Sequence, residues 1–218
     1  MRPAPKYSTV ILDVDSTVSG IEGIDWLAER RGPAVAARIA SLTDDAMRGV
    51  IPLESVYGAR LAEIKPVRAD IDALSRVYIA KLAPGCFDAV KLLHDAGVRV
   101  ILISGGLRQA IEPVARLLGI AAGDVNAVDI RFDADGNYAG FDQTSPLATS
   151  SGKRTVIEGL TLTEPVLAMG DGATDVVMRE VVDCFAAFVG FARRENVVAK
   201  ADVVVESFAE LAEIVLRG

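Results

Sequence analysis

Short apolar runs recur along the chain and alternate with amphipathic segments. The runs occupy residues 9–14, 98–103, 166–169, 185–189 and 203–205. Runs of this length that are apolar at nearly every position are typical of parallel strands buried on both faces. Amphipathic helical patterns lie at residues 87–95, 107–118, 155–160 and 208–216. The alternation predicts an α/β fold, a Rossmann-like, doubly wound parallel sheet with helices on both faces.

Residues 19–82 interrupt this alternation. They contain several helical patterns and no clear buried strand, and Ala83-Pro84-Gly85 then marks the return to the strand–helix rhythm. We therefore expect a small inserted helical cap domain over residues 19–82 and a catalytic core made of residues 1–18 and 83–218. A turn signal of Asp, Gly and Asn within residues 132–138 predicts a small hairpin in the second part of the core.

Composition narrows the class of protein. The chain has 218 residues, of which 51% are hydrophobic and 24% are charged, as in ordinary globular proteins. This length suits one core domain that carries an insertion. The net charge of -7 comes without a basic patch or stripe, which argues against binding to nucleic acid.

Cysteine usage and hydropathy indicate the compartment. Cys86 and Cys184 form no CxxC pair and lie among apolar neighbours, so we expect two buried free thiols. The apolar run near the start is cut by Asp13, which does not fit a signal peptide. The longest apolar stretch, residues 181–192, contains Asp183 and is too short to span a bilayer. We expect a soluble cytoplasmic protein with no membrane partner.

Polar clusters stand where predicted strands end or a helix starts. They are residues 13–17 (Asp-Val-Asp-Ser-Thr), 104–106 (Ser-Gly-Gly), Lys153 and 170–175 (Gly-Asp-Gly-Ala-Thr-Asp). Ligands bind beyond the carboxyl ends of the strands in open parallel sheets. The clusters are therefore expected to meet in one crevice.

Four of these side chains are carboxylates, which would repel one another at close range. Asp13 and Asp15 come from the first cluster, and Asp171 and Asp175 come from the last. A hard cation removes that cost, and Mg²⁺ prefers carboxylate, carbonyl and water oxygens. A metal that also holds a phosphate would leave one aspartate free to attack phosphorus. Lys153 would supply positive charge to the phosphoryl oxygens, as would hydrogen bonds from the Ser-Gly-Gly cluster.

Each cluster taken alone has a simpler interpretation. Residues 13–17 could form a turn and a helix cap, residues 104–106 a plain loop, and Lys153 a solvated side chain. Gly170 and Gly172 follow a strand as in a dinucleotide-binding turn, but Asp175 replaces the third glycine. The joint placement of the clusters in one sheet favours a phosphatase site over these alternatives. His94 is the only histidine, which argues against a zinc site or a Ser-His-Asp triad.

The four clusters resemble, in order, the four motifs of the haloacid-dehalogenase-like phosphatases, and the resemblance covers nearly the whole chain. The family members that hydrolyse O-phospho-L-serine look most similar, through residues 13–18, 22–25 and 170–175, and residues 187–191 also look similar. The resemblance implies L-serine and phosphate as products, and thus the last step of serine biosynthesis.

The resemblance also implies a role for each aspartate. Asp13 would be the nucleophile, and Asp15 would act as general acid toward the leaving oxygen and then as general base toward water. Mg²⁺ would be held by the Asp13 carboxylate, the Asp15 backbone carbonyl and Asp171, with Asp175 supporting the site from behind. An acid near neutral pH needs a raised pKa, and we expect a neighbouring carboxylate to raise that of Asp15.

The remaining motif residues would bind substrate. The phosphoryl group would contact Ser104, Gly105, Gly106 and Lys153. The resemblance further assigns Met47 and Thr174 to the substrate pocket.

The cap is expected to select the substrate. On a helical wheel of residues 53–64, Arg60 falls in the middle of an apolar face, where a charge is costly unless it is paired. Its stem could instead pack while its head reaches water. In the family, an arginine at this place pairs with the substrate carboxylate and a glutamate matching Glu22 faces the amino group. Glu22 could equally serve the dipole at a helix start.

One departure from the family pattern bears on the substrate. Met47 is followed by Arg48-Gly49 where the family has two glycines, and Arg48 could enter the pocket or point outward. Alternatives to the serine ester are another small phosphorylated metabolite and phosphoryl transfer to homoserine. Outside this class, a signalling receiver lacks a cap after its first strand, and a nucleotide-dependent oxidoreductase needs the missing glycine. The expected partner is a small phosphomonoester, and the expected state a monomer or homodimer.

Overall fold

A six-stranded parallel sheet forms the centre of the part of the chain that the computed structural model describes, residues 4–217. The strands of the chain are β1 (Thr9–Leu12), β2 (Arg99–Leu107), β3 (Val125–Val128), β4 (Ile130–Phe132), β5 (Tyr138–Phe141), β6 (Val166–Gly170), β7 (Cys184–Phe188) and β8 (Val203–Val205). The sheet order is β3-β2-β1-β6-β7-β8, and β4 and β5 form a separate antiparallel pair. The predicted doubly wound α/β fold is confirmed. Residues 1–3 and 218, at the ends of the predicted core, lie outside the described residues.

Several helices lie between β1 and β2, and helices alternate with strands in much of the chain after residue 83, as predicted. The helices are α1 (Gly23–Glu29), α2 (Pro33–Met47), α3 (Tyr57–Ile64), α4 (Arg68–Ala80), α5 (Cys86–Asp95), α6 (Arg108–Leu117), α7 (Gly152–Glu158), α8 (Ala173–Val176), α9 (Glu195–Val198) and α10 (Phe208–Leu216). Short 3₁₀ turns occupy Leu53–Ser55, Ala122–Asp124, Pro146–Ala148 and Val177–Glu180. No helix of residues 4–217 is long and apolar enough to cross a membrane.

The central strands are apolar because both of their faces are covered. All residues of β1, β6 and β7 are buried. The register places Leu12 beside Leu102 on one side and beside Met169 on the other. The strands β1, β2 and β6 therefore run side by side in the same direction, and the segments that follow β1 and β6 meet at one edge of the sheet.

Two predictions about local structure were wrong. The runs named from the sequence omitted β3, which has only four residues and carries the half-buried Asn126 in its middle. The predicted continuous helix over residues 53–64 is a 3₁₀ turn followed by α3, because the backbone at Val56 leaves helical geometry (φ -122°). The apolar face was nevertheless placed well, since Leu53, Tyr57 and Leu61 are all buried.

The segment 23–80 leaves and re-enters the sheet through two linkers that lie side by side. The Ala83 amide donates to the Val18 carbonyl and the Gly20 amide donates to the Lys81 carbonyl, each at 2.9 Å. The Ser19 hydroxyl donates to the Tyr78 carbonyl at 3.0 Å. The chain thus enters and leaves the four helices α1–α4 at a single place.

Two of the further contacts between these helices and the core involve the β4–β5 hairpin and Ser150. The β4–β5 hairpin reaches them through the rings of Tyr57 and Phe141, whose centroids are 5.2 Å apart. At the other contact, the Ser150 hydroxyl accepts from the Leu53 amide at 2.8 Å and donates to Glu54 Oε2 at 2.9 Å. The helical segment is therefore held closed over the carboxyl end of the sheet.

Candidate active site

The polar clusters meet at the carboxyl edge of the sheet, as the strand ends require. Asp13 directly follows β1, and its amide donates to the Met169 carbonyl at the end of β6 at 3.0 Å. Lys153 is the second residue of α7. A Cβ on Gly152, the first residue, would lie 1.8 Å from the Pro146 carbonyl oxygen, so the close approach that positions Lys153 requires glycine.

Lys153 bridges two buried carboxylates. Its Nζ lies 2.6 Å from Asp13 Oδ1 and 2.5 Å from Asp175 Oδ1. The lysine is 5% exposed and Asp175 is fully buried. Burial alone would lower the pKa of Lys153, but the two carboxylates outweigh that effect and raise its pKa. The ammonium is therefore charged at any pH at which the protein would work.

Carboxylate oxygens of Asp13, Asp171 and Asp175 all lie within 4.8 Å of one another. The second oxygen of Asp175 accepts from the Gly172 amide at 2.8 Å, so both of its oxygens already have partners. Three clustered oxygen donors suit a hard divalent cation. The predicted division of roles, with Asp13 and Asp171 as ligands and Asp175 as their support, stays a prediction.

Arg194 also reaches this cluster, and the sequence analysis did not single it out. Its guanidinium pairs with Asp171 Oδ2 and also donates to the Asp171 carbonyl at 3.4 Å. The side chain is 15% exposed and stands just before α9. Thr17 donates to the other carboxylate oxygen of Asp171 at 3.3 Å. A protein cation thus neutralises the carboxylate that is expected to bind metal.

The carboxyl group of Asp13 has a raised pKa. Burial and the negative charge of Asp175 raise the pKa of Asp13 to about 7, although Lys153 acts in the opposite direction. The carboxyl group is 6% exposed and faces a cavity. A nucleophile at this position would be desolvated but ionised once a cation lies beside it.

Asp15 is held by two donors on one oxygen. The Gly23 amide donates to Asp15 Oδ1 at 2.8 Å, and the Tyr78 hydroxyl donates to the same atom at 2.6 Å. The pKa of Asp15 is raised, as expected for a general acid, but the stated cause was wrong. Burial raises it, while the Tyr78 and Gly23 hydrogen bonds lower it, and no neighbouring carboxylate is among the leading causes. Tyr78, from α4, was not anticipated from the sequence.

The Ser-Gly-Gly cluster forms the end of β2 instead of a loop after it. Ser104 is buried, and its Oγ accepts from the Gly106 amide at 2.9 Å. The Gly105 carbonyl accepts from the Tyr57 hydroxyl at 2.7 Å. In this structure the Gly106 amide therefore orients the serine hydroxyl, while Ser104 and Gly105 face the cavity.

One cavity brings together most of the predicted site residues. Its lining includes Asp13, Asp15, Glu22, Met47, Arg60, Ser104, Gly105, Lys153 and Thr174. Asp171, Asp175 and Gly106 are outside this lining: Asp175 bonds Lys153, Gly106 bonds Ser104, and Asp171 lies beside Asp13. Apolar walls come from Ile24, Leu53, Tyr57 and Leu147. The cavity thus has a cluster of carboxylates and a lysine at the sheet, and an arginine and a glutamate on the helical side.

Arg60 is buried and does not reach water. It is 3% exposed, and its Nη1 donates to the Thr43 hydroxyl at 2.7 Å. Its carbon Cζ lies 5.7 Å from the centroid of the Tyr57 ring. Among residues 4–217, its Nε is a buried polar atom without a hydrogen-bond partner. Such an atom costs free energy unless a ligand satisfies it.

Glu22 immediately precedes α1 and forms no side-chain cap for that helix. Its Oε1 accepts from the Ser16 hydroxyl at 2.7 Å. Ser16 has a left-handed backbone (φ 50°), which turns the chain between the two residues. Burial and the charge of Asp15 raise the pKa of Glu22 to about 8. A ligand cation beside this carboxyl group would favour its ionised form.

Arg48 points away from the cavity. Its side chain is 52% exposed and pairs with Asp44 at 3.1 Å and with Asp45 at 2.6 Å. Of the two orientations that the sequence left open, the structure shows the outward one. Met47, by contrast, faces inward, with its sulfur 4.0 Å from the Thr174 hydroxyl.

Curated relatives of the chain share one name. It is 39% identical over 205 residues to the human phosphoserine phosphatase, covering 93% of this chain and 90% of the relative. It is 38% identical over 207 residues to the chloroplastic phosphoserine phosphatase of Arabidopsis thaliana, covering 93% and 70%.

Solved structures agree in fold over the whole chain. A phosphoserine phosphohydrolase-like protein from Francisella tularensis superposes with a TM-score of 0.87 at 28% identity, covering 95% of this chain and 99% of the other. A phospho-aspartyl intermediate analogue of phosphoserine phosphatase superposes with a TM-score of 0.81 at 26% identity, covering 96% and 99%.

The sequence pattern of the haloacid dehalogenase-like hydrolases matches residues 10–180. This span runs from β1 to the 3₁₀ turn after α8 and contains all four polar clusters. The resemblance inferred from the four polar clusters is confirmed. The chain belongs to the haloacid dehalogenase-like hydrolase family.

Proposed function

We propose that this chain is a Mg²⁺-dependent phosphoserine phosphatase that hydrolyses O-phospho-L-serine to L-serine and phosphate through a phosphorylated Asp13. One observation carries the proposal. The cavity that exposes Asp13 and Lys153 on one side presents Arg60 and Glu22 on the other. Lys153 complements the charge of a phosphate, and Arg60 and Glu22 complement the carboxylate and the ammonium group of an amino acid. The names of the curated relatives point to the same substrate.

Asp13 performs the first chemical step in this proposal. Its carboxylate attacks phosphorus in line, forms the acyl phosphate and releases the serine oxygen. The carboxylate would be kept ionised by Mg²⁺, which would also supply positive charge to the phosphoryl oxygens. Asp13 and Asp171 would hold it, together with the Asp15 backbone carbonyl. Lys153 fixes Asp13 Oδ1 at 2.6 Å, so the other oxygen of Asp13 is left to serve as nucleophile.

Asp15 manages the protons. It gives a proton to the leaving serine oxygen, and it then takes one from the water that attacks phosphorus and regenerates Asp13. Tyr78 and Gly23 both donate to Asp15 Oδ1, which leaves Oδ2 as the oxygen that carries the proton. The raised pKa of Asp15 makes the protonated form accessible near neutral pH.

The other cavity residues bind and orient the substrate. Ser104 and Gly105 would donate to the phosphoryl oxygens beside Lys153, and the Gly106 amide would orient the Ser104 hydroxyl. Arg60 would pair with the α-carboxylate, which satisfies its unpartnered Nε. Glu22 would face the ammonium group. Met47 and Thr174 close the wall between the two ends of the substrate.

Catalysis and substrate selection are assigned to the two parts of the chain that the linkers separate. We assign catalysis to a core of residues 1–18 and 83–218 and substrate selection to a cap of residues 19–82, because the chain crosses between them only at the paired segments around Ser19 and Lys81. The proposed product places the enzyme at the end of L-serine biosynthesis. Cys86 and Cys184 are free thiols in the structure, consistent with the cytoplasm. Both a monomer and a homodimer remain compatible with this assignment.

A substrate panel tests the proposal. Phosphate release should require Mg²⁺, should favour O-phospho-L-serine over esters that lack either the amino or the carboxyl group, and should vanish in Asp13→Asn. Equal rates across the panel would refute the serine assignment while leaving a general phosphatase. Chromatography of the products with L-homoserine present separates hydrolysis from transfer, because transfer yields a new phosphoester in place of free phosphate.

A further inference from the structure

A threonine stands between the buried arginine and an aspartate on the helical side of the cavity. Thr43, on α2, accepts from Arg60 Nη1 at 2.7 Å and donates to Asp25 Oδ1. The three residues come from three different helices, α3, α2 and α1. Thr43 is 4% exposed and lines the cavity. The arginine is therefore attached to the rest of the cap through a hydroxyl group.

The hydroxyl is the group that can join these two partners. A guanidinium has only donors and an ionised carboxylate has only acceptors, whereas a hydroxyl has one donor hydrogen and two acceptor lone pairs. The proton of Thr43 must point at Asp25, and a lone pair must point at Arg60. This fixes the rotamer of Thr43 and one edge of the guanidinium. The Tyr57 ring, 5.7 Å from Arg60 Cζ, limits the guanidinium on a second side.

The intervening hydroxyl also keeps the charge of Arg60 available. Among residues 4–217, the side-chain acceptor of Arg60 is the neutral Thr43, and Nε has no partner. A direct bidentate pair with Asp25 would occupy the donors that a ligand needs. Asp25 still lies close enough for its negative charge to act on Arg60, which reduces the cost of burying the guanidinium cation.

We propose that Thr43 and Asp25 are positioning residues that hold Arg60 ready for the carboxylate of an α-amino-acid phosphoester. This inference rests on the proposed function and adds the residues that make its arginine selective. Thr43 sets the orientation of the guanidinium, and Asp25 sets the orientation of Thr43. Both residues come from the helical segment that carries Arg60 and not from the core segments that carry Asp13 and Lys153, so we expect their replacement to act mainly on binding of the carboxylate.

The test compares two substrates that differ by one group. O-phospho-L-serine carries the α-carboxylate, and O-phosphoethanolamine lacks only that carboxylate. Thr43→Val keeps the shape of the side chain and removes both hydrogen bonds. We expect kcat/KM for O-phospho-L-serine to fall about 10- to 100-fold, mostly through KM, from the loss of hydrogen bonding to a charged group. For O-phosphoethanolamine it should change less than about twofold on the same reasoning.

Three further variants separate positioning from general damage to the fold. Thr43→Ser retains the hydroxyl and should restore most of the loss on O-phospho-L-serine. Asp25→Asn retains an acceptor for the Thr43 proton and should raise KM less than Thr43→Val does. Ser41→Ala, on an exposed part of the same helix, should behave as wild type with both substrates.

Two results would overturn the inference, and they differ from failure of the proposed function. Equal losses of Thr43→Val on both substrates would show a purely structural role for the hydroxyl. Full activity of Thr43→Val on O-phospho-L-serine would show that Arg60 needs no positioning. The proposed function is judged on the wild type alone, by whether it prefers O-phospho-L-serine to O-phosphoethanolamine at all.

Discussion

Replacement of Lys153 by methionine tests the electrostatics of the site. The ammonium lies 2.6 Å from Asp13 and 2.5 Å from Asp175, and the side chains of all three are less than a tenth exposed. Methionine fills much of the same space without the charge. The two carboxylates would then repel each other inside the protein with no cation between them.

The expected loss of stability is large. Breaking a buried ion pair by removing one partner costs about 3–5 kcal/mol, because the remaining charge stays buried and uncompensated. With a urea m-value of about 2 kcal/mol/M, the midpoint of unfolding should fall by about 1.5–2.5 M. The loss should be greatest near pH 8 without metal. It should shrink near pH 6, because a carboxyl group that has taken up a proton no longer repels its neighbour.

Urea unfolding followed by circular dichroism, in EDTA and then with excess Mg²⁺, provides the measurement. The matched control is Lys91→Met, since Lys91 forms an exposed pair with Asp95 at 2.6 Å. An exposed pair contributes about 0–1 kcal/mol, so this variant should unfold close to wild type. Mg²⁺ should restore part of the stability of Lys153→Met, because it replaces the missing positive charge. An unchanged midpoint for Lys153→Met in EDTA at pH 8 would refute the reasoning.

Three other measurements follow from the site. Arg194→Met should bind Mg²⁺ more tightly by calorimetry and be less stable in EDTA, because the guanidinium competes with metal for Asp171; weaker binding would contradict that competition. Gly23→Ala places a Cβ 1.9 Å from the Tyr78 hydroxyl oxygen and 2.8 Å from the ring carbon that carries it, so we expect about 1–3 kcal/mol of destabilisation by urea unfolding and a lower kcat; wild-type stability would contradict this contact. Because the pKa of Asp13 is raised to about 7, the metal-free native state keeps a proton that the unfolded chain loses near pH 4. Stability in EDTA should therefore fall from about pH 4 to about pH 7 and then level off, and calorimetric Mg²⁺ affinity should weaken about tenfold per unit below pH 7.

The part of the site that follows strand ends could be predicted from the sequence. A parallel sheet brings the carboxyl ends of its strands to one edge, so placing Asp13 and Asp171 after buried apolar runs also places them together. Arg60 was located by a local signal of a different kind, a charge in the middle of an apolar helical face. Both signals are contained in short stretches of sequence.

The residues that the sequence did not reveal act across elements that are distant in the chain. Tyr78 reaches Asp15 over 63 residues and Thr43 reaches Arg60 over 17, and each also fits an ordinary pattern for its own helix. Arg194 stands in a short polar segment with no periodic pattern. The raised pKa of Asp15 was anticipated with the wrong cause, because the depth of burial depends on how the helices close over the sheet.

The hydrogen bonds of Ser150 bear on how firmly the wall of the cavity is held. Leu53, which bonds Ser150, and Thr149, which precedes Ser150 in the chain, both line the cavity. The bonds from Ser150 to Leu53 and Glu54 therefore support part of its wall. Each such bond contributes only about 0.5–1.5 kcal/mol. This stretch of the wall is therefore held by individually weak bonds. These bonds can break without any strand of the sheet being disturbed.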